Sequence, residues 1–297
     1  MSFDVTYLAE LAINGALVGL MYALVALGIV LVFKASGVAN LAQGALTMVG
    51  AYVVWWLAAG LGTPLWAAMP LALAAMFFFG RGLERVALRR MVGQPVIMII
   101  MLTLGLEILL RGAAPALAGA TMKRLDIGIG QQPIFLGDIL VNRAYLVGGV
   151  VALALIGLSL LFFNSRQGIM LRAVSDDQTA SWAAGIRVEQ AIGLSWGLAG
   201  IAAACAGILW GSVQGVDWTL SLLLIKALAV AILGGLDSIV GVVVAGVAIG
   251  VLENVIPGYI DPLVGGGTRD LVASTVILLT ILVRPFGLFG REDIERV

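Results

Sequence analysis

The chain has 297 residues, of which 61% are apolar and 11% charged, and its 17 basic and 17 acidic residues cancel. Soluble domains are roughly 45–50% apolar, so a soluble fold of this length could not hide so much apolar surface, and the chain reads as an integral membrane protein. The balanced charge gives no footing for nucleic acid, and a sequence without histidine lacks the commonest general base, metal ligand and pH switch.

Nine apolar runs follow in order, over residues 8–33, 41–60, 64–80, 96–110, 144–163, 191–210, 222–233, 239–255 and 271–283. A spanning helix needs roughly 20 residues, within a range of about 17–25. The shorter runs, 222–233 above all, are therefore expected as interrupted or re-entrant helices. The expected fold is an all-α polytopic bundle of eight or nine transmembrane segments, forming a single transmembrane domain over residues 1–297. The 39 glycines suit helices whose backbones approach closely. The opening "MSFDVTYLAE" has no basic n-region, so the first run is expected as a span and not a cleaved signal.

The first break, "FKASGVANLAQG" (33–44), places Asn40 and Gln43 at helical spacing. They can cap a half-helix whose backbone groups lipid would leave unsatisfied, or line a route for a polar solute. A second break, "LGGLDSIVG" (233–241), makes a similar helix–break–helix unit and a candidate internal repeat. Tyr52, Trp55 and Trp56 are simplest as interfacial belt residues. Glu107 and Arg111 stand four apart, a favourable intrahelical pair, with a substrate contact as the alternative. Residues 112–143, with Pro115 and Pro133, read as an extracytoplasmic loop. Cys205 sits alone in an apolar run, which excludes a disulfide framework.

The stretch "SRQGIMLRAVSDDQTASWAAGI" (165–186) is the longest polar, helix-like segment between apolar runs. Its pattern sets Ile169, Met170, Ala173 and Val174 on one face and Arg172, Ser175, Asp176 and Thr179 elsewhere. That suits a short amphipathic helix in a partner's groove. A helix resting on lipid is the alternative, but Asp176 and Asp177 would meet anionic headgroups unfavourably. Gly185 lets the chain turn back into the next span. Further on, Lys226 and Glu253 lie equally far from the turn near Ile239, so they are expected at similar depth, close enough to pair. The pair either fixes helix packing or forms a polar patch on a translocation path.

Orientation follows the basic residues, which concentrate on cytoplasmic loops. Arg81, Arg85, Arg89 and Arg90 in one connector, Arg166, Arg172 and Arg187 around the polar segment, and Arg284, Arg291 and Arg296 in the tail can all share one side. The N-terminal end, with the acids Asp4 and Glu10, then lies outside, as do Lys123, Arg124, Arg143 and Arg269. Catalytic machinery is not legible. There is no Gly-Lys dipeptide and hence no P-loop, and no Ser–His or Cys–His pair is possible. Passage of a solute, signalling or scaffolding remain, and the intramembrane charges favour passage.

The run "GLMYALVALGIVLVFKASGVANLAQGALTMVGAY" (19–52) resembles the N-terminal signature of the LivH-type permeases of bacterial branched-chain amino acid ABC importers. "ERVALRR", the polar segment, "KALAVAILGGLDSIVGVVVAGVAIGVLE" and the ending "RPFGLFGREDIERV" agree in order, so the resemblance covers nearly the whole chain. Gln43 stands where many members have histidine, and Asp237 where a glycine is usual. The resemblance implies a multi-pass inner-membrane permease subunit that pairs with a LivM-type subunit. It also implies two cytoplasmic ATPase subunits, which alone use ATP, and a periplasmic solute-binding protein. The segment 165–187 would then be the coupling element, carried by Ile169, Met170, Arg172, Val174, Asp176, Asp177 and Gly185. Asn40, Gln43, Lys226 and Glu253 are candidates for the path or for polar packing. The solute stays open between branched-chain amino acids and urea, amides or aromatic carboxylates. A secondary transporter or channel working without ATPases is the alternative class.

Overall fold

The computed structural model describes residues 5–91, 94–130, 132–284 and 286–290. Asp4, Arg291 and Arg296, used above for orientation, lie outside the described residues. Helices α1 (Val5–Ser36), α2 (Gln43–Trp55, prolonged by a π turn at Trp56–Gly60), α3 (Leu65–Val86) and α4 (Val96–Ala118) come first. A hairpin of β1 (Ile134–Leu136) and β2 (Ile139–Val141) leads into α5 (Arg143–Phe163). The short pair α6 (Arg166–Asp176) and α7 (Gln178–Ala183) precedes α8 (Val188–Gln214). A 3-10 turn (Trp218–Leu222), α9 (Leu223–Gly234), α10 (Ile239–Val264) and α11 (Thr268–Val283) complete the order.

Six helices among the described residues, α1, α3, α4, α5, α8 and α10, are long and apolar enough to cross a membrane. This is fewer than the eight or nine segments expected, because three apolar runs fold as shorter helices. They are α2, α9 and α11, with 13, 12 and 16 residues. α2 is short for a visible reason: it starts inside the bundle. The Gln43 side chain packs against Gly28 and bonds the Ala199 carbonyl. Gly28 is eight residues from the end of α1 (36 − 28) and Ala199 eleven into α8 (199 − 188). At about 1.5 Å rise per residue that start lies roughly 12–17 Å inside the bundle.

α1 is the central element, buried almost continuously from Val18 to Val32 and packed on α10, α8, α5 and α9. Its contact with α10 is backbone on backbone. A Cβ on Gly19 would overlap the Gly246 carbonyl, and one on Gly250 would overlap that of Gly15. With lipid as apolar as any side chain, helix association relies on such close packing.

The two ends of the bundle carry different ties. At one, Asn14 Nδ2 donates to the Leu140 carbonyl (2.8 Å) and its Oδ1 accepts from the Asn142 N–H (2.9 Å), fixing the hairpin to α1. Lys123 and Val216 exchange backbone hydrogen bonds of 2.9 and 2.8 Å, joining the segment after α4 to the exit of α8. At the other end, Lys34 Nζ donates to the Asp237 carbonyl (2.5 Å) and stands 5.5 Å from the centroid of the Phe163 ring. There the Leu288 and Phe289 N–H groups donate to the Leu233 and Gly234 carbonyls, at 2.8 and 3.2 Å.

Three details depart from the sequence expectations. The span expected as loop from residue 112 is helical through Ala118, because Pro115 removes only one bond of the last turns, and it later forms the β1–β2 hairpin. Tyr52, read as an interfacial residue, is buried between helices, while Trp55 takes the Lys123 ammonium 5.1 Å from its ring centroid. The two breaks are not equivalent. The first buries Asn40 and Gln43 inside the bundle, whereas the second is a tight end turn with Gly235 at φ +98° and Ser238 capping α10.

Gly19→Ala is expected to force α1 and α10 apart and destabilise the protein by about 1–3 kcal/mol. Gly157→Ala, where an added Cβ meets nothing within 4 Å, is the control and should leave the melting temperature unchanged or raised. Thermal unfolding in detergent checks this, and equal effects at both positions would remove the glycine contact as the limiting one.

Candidate functional site

The first break is a buried polar knot. Asn40 and Gln43 are both fully buried. Asn40 Oδ1 accepts from the Ala42 N–H (3.0 Å), and its Nδ2 donates to Gln43 Oε1 (3.2 Å). Gln43 Nε2 in turn donates to the Ala199 carbonyl of α8 (3.2 Å), and Thr103 Oγ1 of α4 accepts from the Leu41 N–H (3.4 Å). The bonds thus secure the start of α2 from both neighbours, which a helix starting inside an apolar bundle requires. Thr103 was not singled out in the sequence, since one threonine in an apolar run carries no signal by itself.

Lys226 and Glu253 are brought together, with Nζ 2.9 Å from Oε1. Glu253 is fully buried. Lys226 also reaches Asp270 of α11 at 2.8 Å, and that carboxylate is exposed. The Tyr22 hydroxyl of α1 neighbours Glu253, and the Tyr22 ring stacks on Trp210 of α8 with centroids 5.0 Å apart. Arg269 Nε donates to the Glu253 carbonyl (3.4 Å) and Nη2 to Asn254 Oδ1 (3.3 Å). One lysine therefore links an interior carboxylate to a surface one and clasps α9, α10 and α11. Glu107 and Arg111 form the expected intrahelical pair at 3.5 Å.

The polar stretch folds as two helices, α6 and α7. Ser165 caps α6 by accepting from the Gly168 N–H, and Asp177 Oδ1 accepts from the Ala180 N–H at the start of α7. Gly185, at φ +81°, turns the chain toward α8. The residues grouped as one apolar face divide between buried and exposed positions. Val174 is buried together with Gly168 and Leu171, whereas Ile169 and Met170 are 53% and 43% exposed and Trp182 of α7 is 58% exposed. The spacing of 168, 171 and 174 is itself a helical stripe, so the signal for the inner face was present in the sequence. Gly168 lies so close to α5 that a Cβ there would overlap the Phe163 backbone. Arg172 Nη2 donates to the Phe163 carbonyl (3.1 Å), a second tie to the end of α5. Asp176 and Arg172 join Lys34 and Asp237 in lining a polar cavity of about 570 Å³ beside the α9–α10 turn.

A bundle of apolar helices with a buried broken helix, an intramembrane ion pair and a docked amphipathic helix pair is a multi-pass membrane protein built for transport. Residues 11–283 match the family described as the branched-chain amino acid transport system / permease component, and the chain belongs to that family. It is 28% identical over 313 residues to the high-affinity branched-chain amino acid transport system permease protein LivH of Salmonella typhimurium, with 100% of both chains covered. Identity to the permease protein BraD of the same kind of system in Pseudomonas aeruginosa is 30% over 306 residues, 98% of each chain. A probable LivH of Methanocaldococcus jannaschii is 29% identical over 300 residues, covering 95% of this chain and 92% of that one.

Lys226→Met should destabilise the protein by about 3–5 kcal/mol, because it leaves the buried Glu253 carboxylate without its cation. Lys226→Met combined with Glu253→Gln should recover most of that, and Asp270→Asn alone should cost no more than about 1 kcal/mol. Thermal unfolding of the wild type and these three variants checks this. Gly168→Val should lift α6 from the end of α5, seen as faster amide exchange across residues 165–185 without change in α1 or α8. Unaltered exchange would mean that the segment is held by something other than this contact.

Proposed function

We propose that the chain is the LivH-type half of a heterodimeric permease in a bacterial inner membrane, importing branched-chain amino acids at the expense of ATP hydrolysed elsewhere. Its partners are a LivM-type permease subunit, two ATPase subunits on the cytoplasmic side and a periplasmic solute-binding protein. The observation that carries this reading is the α6–α7 pair, anchored to the bundle by Leu171 and Val174 while presenting Ile169, Met170 and Trp182 outward. A soluble ATPase can move a membrane bundle only through a packed, ordered element, since a floppy loop would absorb the motion. Ile169 and Met170 are assigned to the ATPase contact, Asp176 to its polar rim, and Gly168, Arg172 and Val174 to transmission into α5. Asp177 holds the start of α7, and Gly185 returns the chain to α8.

Asn40 and Gln43 set the start of α2 and thereby the wall of the path. Lys226 and Glu253 keep α9, α10 and α11 in register beside it. No cofactor is assigned to this chain. The related solutes, urea, amides and aromatic carboxylates, share the same scaffold logic, and the solute-binding protein is expected to choose among them.

The test is reconstitution with the partner subunits in proteoliposomes. Leucine uptake should require ATP and the solute-binding protein. Ile169→Asp with Met170→Asp, or Asp176→Lys alone, should abolish uptake at least about tenfold while leaving the thermal stability of this chain unchanged. Asp176→Lys is preferred to reversal of both acids, because Asp177 supports α7. Uptake by the lone chain down an ion gradient would instead establish a secondary transporter.

A further inference from the structure

Over residues 191–210, α8 is buried except at Leu194, Leu198 and Ile201, which share one face at helical spacing. Two cavities follow that face. The first, of about 470 Å³, is lined by Arg81 of α3, Gln167 and Leu171 of α6, and Arg187, Gln190 and Leu194 at the start of α8. The second, of about 180 Å³, begins one turn further on at Leu198 and reaches Ala202. Leu158 and Phe162 of α5 flank it, and Leu27 and Leu31 of α1 form its floor. On the opposite side of the stripe, the Phe77 ring of α3 fills the place of a side chain at Gly197. The Arg81 guanidinium lies 5.8 Å from that ring, so it stands at the α3 edge of the same face.

The two cavities differ in chemistry. No acid lines the first, and among the described residues neither Arg81 nor Arg187 makes an ion pair, since Glu84 and Glu189 both pair with Arg89. Two guanidinium groups beside two side-chain amides ask for an anionic oxygen group such as a phosphate. The second cavity is walled by hydrocarbon, and the hydroxyl of Ser159 on its wall already donates to the Leu155 carbonyl. From Gln190 to Ala202 is twelve residues (202 − 190), about 18 Å of helix. The hydrocarbon of one leaflet is about 15 Å deep, half of a core of about 30 Å. An anionic head followed by an acyl chain matches both the chemistry and the length. A neighbouring helix matches less well, because helices in lipid associate through small residues, and this face presents leucine, isoleucine and phenylalanine.

We propose that this face of α8 binds one anionic phospholipid. Arg81 and Arg187 hold its phosphate, and one acyl chain lies in the slot over Leu27 and Leu31. A zwitterionic lipid fits less well, since its ammonium finds no acid in the lining of the first cavity. The site is separate from the Asn40–Gln43 knot and the Lys226 clasp, and Ile169 and Asp176 are outside its walls. Because Gln167 and Leu171 belong to the wall, the lipid is part of the seat on which α6 rests.

The experiment titrates the complete complex, delipidated in mild detergent, with phosphatidylglycerol or phosphatidylcholine and reads bound lipid by native mass spectrometry. Phosphatidylglycerol should bind at least about tenfold more tightly than phosphatidylcholine. Glycerophosphoglycerol, its head without acyl chains, should not compete at tenfold excess. Arg81→Gln with Arg187→Gln should weaken phosphatidylglycerol at least about tenfold and leave phosphatidylcholine unchanged. Leu198→Trp, which fills the slot, should weaken both lipids. Arg166→Gln, exposed on α6 and outside both cavities, is the control and should change neither. A second readout does not depend on the tryptophan variant folding: a photo-crosslinking residue in place of Leu198, activated in native membranes, should capture phospholipid. Equal affinity for the two lipids, competition by the free head, or an equal loss in the Arg166 control overturns the proposal. Capture of a protein chain from position 198 also overturns it, since the face is then an interface between subunits. None of these readouts uses uptake, so the identity of the transported solute does not bear on the result.

Discussion

The fold depends on one steric constraint: α1 and α10 touch through their backbones, with no side chain between them. Gly15 and Gly19 meet Gly246 and Gly250, so the two axes come closer than any Cβ allows. That approach brings Tyr22 of α1 beside Glu253 of α10 and so defines the depth of the ion-paired lysine. Further along α1 the same device is repeated at Gly28, whose missing side chain is the space that the Gln43 amide occupies. The broken helix α2 can start inside the bundle only because α1 leaves it that room.

Charge inside this bundle is arranged in short chains. Arg89 lies between Glu84 and Glu189, Lys226 between Glu253 and Asp270, and Glu107 pairs along its own helix with Arg111. In the first two cases a buried acid shares its cation with a more exposed acid. Such sharing lowers the desolvation cost of each ion, and it lets a protein with 11% charged residues keep acids at interior positions.

Much of this was legible in the sequence, and the failures have physical causes. The Lys226–Glu253 contact could be read from equal spacing about a turn, because two straight helices preserve register over a few turns. The family and the polar helical segment were legible in the same way. The span count was not, since apolar content marks runs 41–60, 222–233 and 271–283 without revealing that α2 begins inside the bundle. The inner face of α6 was not legible from the apolar residues alone, because those grouped there include Ile169 and Met170, which face away from the bundle. Burial there is set by Gly168, where the absence of a side chain lets Leu171 and Val174 reach the bundle. A cavity lined by Val32, Glu84, Ile99, Trp182 and Ile192 combines residues from α1, α3, α4, α7 and α8, and no local pattern announces a cavity assembled across such separations.

The hydrogen bonds from Leu288 and Phe289 to the Leu233 and Gly234 carbonyls bear on how the protein is made. The end of α9 emerges from the ribosome with acceptors that α9 itself cannot satisfy. Their partners are translated only after α10 and α11. Until then the α9–α10 turn is incomplete, and water or the insertion machinery must solvate it. Biogenesis of this chain therefore has a late closing step, in which a tail segment completes a hairpin that was inserted earlier.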